Sequence, residues 1–106
     1  MIQLLLCEHW LELLTRAVKA YQPTADEETR DVVRHLTRLL DQLGARDRSL
    51  FVSRYVERMG IGEIATSHRM TFATTRRRVA RMTKLVSKRA RNDAALAPHF
   101  DKLASR

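Results

Sequence analysis

The sequence predicts an all-α fold, a small bundle of helices with an extra helix at its N-terminal end. The 106 residues include only three glycines and two prolines, and both residue types interrupt helices. Apolar side chains recur at helical spacing in five successive segments, which is the pattern of amphipathic helices. A chain of this length forms one domain and buries roughly two-thirds of its unfolded surface, enough for one modest core.

The first predicted helix covers Ile2 to Tyr21. Pro23 ends it, because the residue before a proline is forced out of the helical region. Residues 1–23 therefore form a separate N-terminal segment with a broad apolar face. That face needs a cover, from the rest of this domain, from a partner or from a second copy. It consists of Leu4, Leu6, Trp10, Leu11, Leu13, Leu14, Ala17, Val18 and Tyr21.

A capping box opens the second predicted helix at Thr24. The Thr24 hydroxyl can accept a hydrogen bond from the backbone N–H of Glu27, whose carboxylate can return the bond. Glu27, Glu28 and Asp31 also lie near the positive end of the helix dipole, which stabilises them. Gly44 follows the last apolar residue, where a left-handed helix terminator belongs.

Two shorter helices are expected next. The third covers about Arg46 to Met59 and ends at Gly60, and the fourth covers about Gly62 to His68. Ala65 lies in the middle of the fourth helix. We expect its small side chain to let a neighbouring helix cross closely at this point.

The fifth predicted helix begins after Thr71 and runs to about Arg91. A break at Arg69 and Met70 separates it from the fourth helix. Its inner stripe is Thr75, Val79, Met82 and Val86, and its opposite face carries Arg76, Arg77, Ala80, Arg81, Lys84 and Lys88. Two short helices joined by a tight turn, the second of them cationic, predict a helix-turn-helix, a unit that places one helix in the major groove of DNA.

Residues 24–93 are therefore predicted to form a helix-turn-helix domain, and residues 94–106 a loosely held C-terminal tail. Within that tail, Leu96, Phe100 and Leu103 have the spacing of a short turn that can dock on the domain.

The charge is unevenly distributed along the chain. The net charge is +8, but residues 1–44 hold five basic and seven acidic side chains, whereas residues 45–106 hold fifteen basic and five acidic ones. A basic half beside a neutral-to-acidic half indicates a polyanionic partner for the basic half alone.

Arginines near the start of the fifth helix are suited to reading guanine, because the planar guanidinium matches O6 and N7 together. The candidates are Arg76, Arg77 and Arg81. The hydroxyls of Thr71 and Thr74 and the free N–H groups of the first turn are suited to phosphate. Arg78 projects away from Arg76, and we expect it to hold a phosphate or a carboxylate of the domain.

Other function classes find little support in the sequence. The four histidines are far apart and lack metal-ligand spacing, and no phosphate loop, nucleophile elbow or Cys/His dyad is present. We expect neither an enzyme nor a cofactor. The single cysteine, Cys7, lies in an apolar run, where we expect a buried, inert thiol. One cysteine allows no internal disulfide, as in a reducing compartment, and no apolar run approaches the length of a membrane span. A cytoplasmic location is expected.

One known family shares the spacing of several of these residues. The pattern has three parts: a leading helix, the segment Glu63-Ile64-Ala65 followed by a turn, and a helix rich in threonine and arginine from Thr71 to Arg81. The leading helix contributes Leu43, Arg48, Phe51, Arg54, Tyr55, Glu57 and Met59. With these residues the stretch from Leu43 to Val86 resembles region 4 of bacterial sigma factors, most closely the extracytoplasmic-function group. The match covers about 45 residues without a gap.

The resemblance implies a function in transcription initiation. Region 4 binds the −35 promoter element with its second motif helix and docks on the flap of the RNA polymerase β subunit. Carried over by position, the base-reading residues are Arg76, Arg77, Ala80 and Arg81, and the polymerase-facing surface lies around Arg54, Glu57 and Arg58. The full predicted DNA-binding set is Thr71, Phe72, Thr74, Arg76, Arg77, Ala80, Arg81 and Lys84.

Three departures from the family pattern affect this prediction. Arg69 occupies a turn position that is usually glycine, so its left-handed backbone carries a penalty of about 1 kcal/mol. Ala80 replaces what is often a larger side chain. Residues 1–42 are too short for region 2, which melts DNA, and residues 1–23 resemble a remnant of the linker between the two regions. The chain is therefore expected to recognise promoter DNA but not to open it.

Two alternatives to this hypothesis remain. The domain can be a protein-interaction module that binds polymerase or an anti-sigma factor, with incidental affinity for DNA. It can also be a dimeric helix-turn-helix regulator in which the apolar face of residues 2–21 forms the dimer seam.

Overall fold

A computed structural model describes residues 2–19 and 21–98, with the backbone alone for residues 2–7 and 17. Helix α1 (Ile2–Lys19) is followed by α2 (Glu27–Asp41) and by α3 (Ala45–Phe51), which continues directly into a π-helical turn (Val52–Val56). Helices α4 (Ile61–Ser67) and α5 (Phe72–Arg91) complete the order. The predicted all-α bundle is confirmed, and the described ranges contain no strand.

A single core joins all of these elements. Burying one large apolar side chain contributes about 1.5–3 kcal/mol, and every helix supplies at least one such side chain. The largest fully buried residues are Trp10, Phe51, Leu11, Leu36, Leu50, Ile64, Met82, Leu96 and Val86.

Helix α1 is part of this core. It packs against α2, α5 and the π-helical turn, and Trp10, Leu11 and Leu14 are buried there. The centre of its apolar face is therefore covered by this chain itself, whereas Leu13 and Val18 are half-buried and Tyr21 is exposed. The buried centre gives the dimer-seam alternative no support. The side chain of Cys7, predicted to be buried, lies outside the described residues.

The predicted capping box at Thr24 is wrong, because Asp26 caps α2 instead. The Asp26 carboxylate accepts a hydrogen bond from the Thr29 backbone N–H at 2.8 Å, while Thr24 lies in the preceding turn. With Glu27 as the first helical residue, the third helical N–H belongs to Thr29 and not to Glu27. The hydrogen bonds from Thr29 lower the pKa of Asp26 below its usual value.

The two glycines expected to end helices begin them instead. Gly44 has φ −61° and caps the start of α3, and Gly60 has φ −73° and caps the start of α4. The left-handed residues are two arginines, Arg58 at φ 57° and Arg69 at φ 55°. The left-handed conformation belongs to the residue at which the closing hydrogen bonds of a helix end. Those positions are Arg58 and Arg69, and neither glycine occupies one.

The third helix changes its hydrogen-bonding pattern at Val52 rather than running to Met59 as predicted. The Glu57 N–H donates to the Val52 carbonyl at 2.9 Å and the Met59 N–H to the Ser53 carbonyl at 2.9 Å. The first of these bonds spans five residues, which is the spacing of a π-helical turn. The second spans six residues and closes the turn across the left-handed Arg58. The turn carries Tyr55, whose hydroxyl lies 2.7 Å from the Thr83 hydroxyl on α5. Burial raises the pKa of Tyr55.

Part of the predicted C-terminal tail packs on the domain. Leu96 is fully buried, and the Asp93 carboxylate accepts hydrogen bonds from the N–H groups of Ala95 at 2.8 Å and Leu96 at 3.2 Å. Phe100 and Leu103, which were predicted to dock beside it, lie outside the described residues. No helix in the described ranges has the length and apolar character needed to cross a bilayer.

Candidate nucleic-acid interface

Helices α4 and α5 pack against each other as the two helices of the predicted helix-turn-helix. Ile64 and Ala65 are buried on α4, and Thr75 and Val79 are buried near the start of α5. The side chain of Ala65 is buried, and the close helix crossing expected at this residue stays a prediction. This packing fixes the direction of α5 relative to the rest of the domain.

The turn between them is closed by Arg69 in the left-handed conformation. The Met70 N–H donates to the Ala65 carbonyl at 2.8 Å and the Arg69 N–H to the Thr66 carbonyl at 3.3 Å, which is the bonding pattern of a Schellman motif. The predicted penalty at Arg69 therefore applies, at about 1 kcal/mol relative to glycine. The arginine side chain is exposed beside the start of α5.

Thr71 caps α5 and organises its first turn. Its hydroxyl accepts the Thr74 N–H at 3.2 Å and lies 2.9 Å from the Thr74 hydroxyl. Two hydroxyls that share one hydrogen bond leave one hydrogen to donate outward. The Thr75 hydroxyl turns inward and donates to the Thr71 carbonyl at 2.8 Å. The predicted phosphate-binding pair, Thr71 and Thr74, therefore stands at the accessible end of the helix.

Helix α5 carries the whole net charge of the protein. It holds eight basic and no acidic side chains, and the rest of the chain holds twelve of each. All eight basic side chains are exposed. Six of them lie between Arg76 and Lys88, and within the described residues no ion pair neutralises these six. They are Arg76, Arg77, Arg78, Arg81, Lys84 and Lys88.

The exposed side chains of α5 form adjacent rows, because an α-helix advances about 100° per residue. Arg77, Arg81, Lys84 and Lys88 make one row opposite the buried face. Phe72, Arg76 and Ala80 make a second row beside it, in which Ala80 is half-buried and presents few atoms. Arg78 lies on the far flank, as predicted, and the described residues offer it no carboxylate.

The three residues predicted to face polymerase differ in their surroundings. Arg54 is half-buried, with Nη2 3.5 Å from Glu8 Oε1 and Nη1 donating to the Met59 carbonyl at 3.2 Å. It ties α1 to the π-helical turn. Glu57 and Arg58 are exposed. Arg58 also lines a surface groove with Arg16, Lys19 and Val56, so these two residues are the accessible part of the predicted surface.

Two histidine contacts were not predicted from the sequence, because each joins residues that are distant along the chain. His68 Nε2 lies 3.3 Å from the Ser53 hydroxyl, and His35 Nδ1 lies 2.9 Å from Asp93 Oδ2. Burial acts to raise the pKa of Asp93, but hydrogen bonds from His35, Ala95 and Leu96 outweigh it and hold that pKa below its usual value. Both contacts link helices inside the domain.

Comparison with models of known protein families, with curated proteins and with solved structures finds no match to this chain.

Proposed function

We propose that this protein is a sequence-specific DNA-binding domain that recognises promoter DNA in transcription initiation, in the manner of region 4 of a sigma factor. Helix α5 is the recognition helix and enters the major groove with its first turns. Arg76, Arg77 and Arg81 contact base edges, while Thr71 and Thr74 contact the phosphate backbone.

One observation carries the proposal. All of the protein's net charge lies on the exposed surface of one helix that begins directly after a tight turn. An α-helix fits the major groove, and duplex DNA carries a negative charge about every 1.7 Å along its axis. A helix with eight cations and no carboxylate is complementary in charge to the duplex over its whole length.

The packing of α5 supports specific rather than general binding. Buried Thr75 and Val79 hold its first turns against α4, so the arginines at the same turns start from a fixed backbone. A flexible basic segment would neutralise phosphates equally well, but it could not place a guanidinium against one guanine without an ordering cost.

The experiment selects duplexes from a random pool with the folded chain and measures affinity for the selected and a scrambled duplex by fluorescence anisotropy. We expect a preferred sequence, and a logarithmic salt slope of about −0.9 per neutralised phosphate on both duplexes. Arg76→Ala should weaken binding to the selected duplex about 5- to 150-fold more than to the scrambled one, a factor equivalent to about 1–3 kcal/mol.

Lys88→Ala is the matched control, because it removes one exposed cation from the same helix three turns later. It should weaken binding to both duplexes alike. Equal losses on both duplexes for Arg76→Ala would contradict base reading, and enrichment of no sequence would contradict the proposal itself.

Docking on core RNA polymerase is the second element of the proposal. Exposed Glu57 and Arg58 stand beside the groove that also contains Arg16 and Lys19, which is separate from the outer rows of α5. Capture on the polymerase β flap should be lost in Arg58→Glu and kept in Arg76→Ala. Capture that is lost in Arg76→Ala but kept in Arg58→Glu would indicate that α5, rather than this groove, contacts polymerase.

A further inference from the structure

Phe72 is the most exposed large apolar side chain in the described part of the chain. It is 57% exposed, compared with 36% for Tyr21. Phe72 is the first residue of α5, and the Thr71 cap fixes the backbone there. One turn later Thr75 is fully buried. The ring therefore projects beyond the region covered by α4, at the end of the helix that leads into the groove.

The surroundings of the ring favour a polyanion as its partner. Phe72 shares a helical row with Arg76 and adjoins the row that begins at Arg77, and α5 contains no acidic side chain. An apolar pocket on a protein would have to be ringed by carboxylates to match this pattern. The major groove of DNA already combines phosphates with one apolar group, the C5 methyl of thymine, which phenylalanine can contact.

Helix geometry sets the distance between the two contacts. Phe72 and Arg76 are four residues apart, which is about 6 Å along the helix axis. Successive base pairs are about 3.4 Å apart. A helix lying along the groove therefore places the ring one or two base pairs from the guanine that Arg76 contacts.

We propose that Phe72 is a specificity-determining residue that packs on the methyl group of a thymine one or two base pairs from the guanine read by Arg76. This inference rests on the proposed function, since it assigns one base of the site that α5 recognises. It adds an apolar contact to a surface otherwise built from cations and hydroxyls.

Deoxyuridine provides the test, because it lacks only the C5 methyl of thymine. Each thymine of the selected duplex is replaced in turn, and affinity is measured by fluorescence anisotropy. The wild-type protein should lose about fourfold at one thymine near the guanine, the factor expected for one buried methylene-sized group. Phe72→Ala should bind the thymine and uracil duplexes equally. Phe72→Leu should keep part of the discrimination.

Tyr21→Ala is the matched control, because Tyr21 is the other exposed large apolar ring among the described residues and lies outside α5. It should leave the fourfold discrimination unchanged. Circular dichroism on each variant establishes that the fold is kept.

Three results would overturn the inference. In the first, no replacement of thymine by deoxyuridine lowers the affinity of the wild-type protein. In the second, Phe72→Ala loses as much affinity on that replacement as the wild type does, and in the third the selected site contains no thymine within two base pairs of the guanine. Each of these leaves sequence-selective binding intact and so leaves the proposed function standing. Failure to select any duplex would instead overturn the proposed function, and this inference with it.

Discussion

The inner and outer faces of α5 differ in charge: the inner face is uncharged and the outer face is cationic. The inner face contains no charged residue, and its buried side chains are Thr75, Val79, Met82, Thr83, Val86, Ser87 and Ala90. The outer face carries eight cations and no acid. The inner face fixes the helix in the domain, whereas the cations of the outer face are exposed to solvent. Stability and binding are therefore expected to respond to different substitutions.

The largest expected effect comes from the inner face. Met82 is almost fully buried, and Met82→Ala should lower the free energy of unfolding by about 2–5 kcal/mol through lost burial and a residual cavity. Urea denaturation measures this. Lys84→Ala, two residues away on the outer face, should change stability by less than about 0.5 kcal/mol. A loss of more than about 1 kcal/mol in Lys84→Ala would contradict the separation of the faces.

A polar link inside the core gives the next largest effect. Thr83→Val removes the partner of the Tyr55 hydroxyl and leaves it buried without a hydrogen bond, which should cost about 1–3 kcal/mol in unfolding free energy. Adding Tyr55→Phe should recover most of that loss, because removing both partners is nearly neutral. If the double variant is as unstable as the sum of the single variants, the hydrogen bond does not couple the two residues.

The two left-handed arginines, one on each side of α4, allow effects on stability to be separated from effects on DNA binding. Arg58→Gly and Arg69→Gly should each raise unfolding free energy by about 0.5–1 kcal/mol, since relief of roughly 1–2 kcal/mol of strain exceeds the greater entropy loss of glycine. Their effects on DNA should differ. Arg69 lies beside the start of α5, so its loss should weaken binding to all duplexes alike. Arg58→Gly should leave duplex affinity unchanged, and a loss there equal to that of Arg69→Gly would contradict this distinction.

Ser87 gives the smallest expected effect. Its buried hydroxyl has no hydrogen-bond partner among the described residues, so Ser87→Ala should stabilise the domain by about 0.5 kcal/mol. Duplex affinity should stay unchanged because the side chain faces inward. Thermal unfolding checks the first expectation and anisotropy the second. A loss of stability would show that the hydroxyl has a partner.

The sequence predicted α5 more completely than the segments before it. Its apolar stripe repeats over about three turns, and Thr71 supplies a clear start, so the predicted and observed bounds agree. The π-helical turn has no such signal, because its wide hydrogen bonds depend on how Tyr55 and Arg54 meet α5 and α1. The left-handed positions were placed correctly at Arg69, where a motif spacing marked the turn. A left-handed residue was placed wrongly at Gly44, where only the residue type suggested it, and Gly60 begins a helix rather than ending one.

The candidate site was predicted only in part, because helix periodicity is visible in the sequence whereas contacts between distant elements are not. Sequence spacing places Arg76, Arg77 and Arg81 on α5, and the helix period alone assigns them to outer rows. The exposure of Phe72 does not follow from periodicity, since its row also approaches the core. It depends on where α4 ends. Likewise, the ion pair between Arg54 and Glu8 depends on the packing of α1 against this domain. The sequence did not decide whether α1 packs there or on a partner.

The central claim is that the outer face at the start of α5 is the surface that meets duplex DNA. The most direct measurement is the change in backbone amide chemical shifts of the folded protein on titration with the selected duplex. We expect the largest changes between residues 69 and 81, and little change in α1 and α2. Changes confined to α1 and α2, or spread evenly over every exposed cation, would contradict the account.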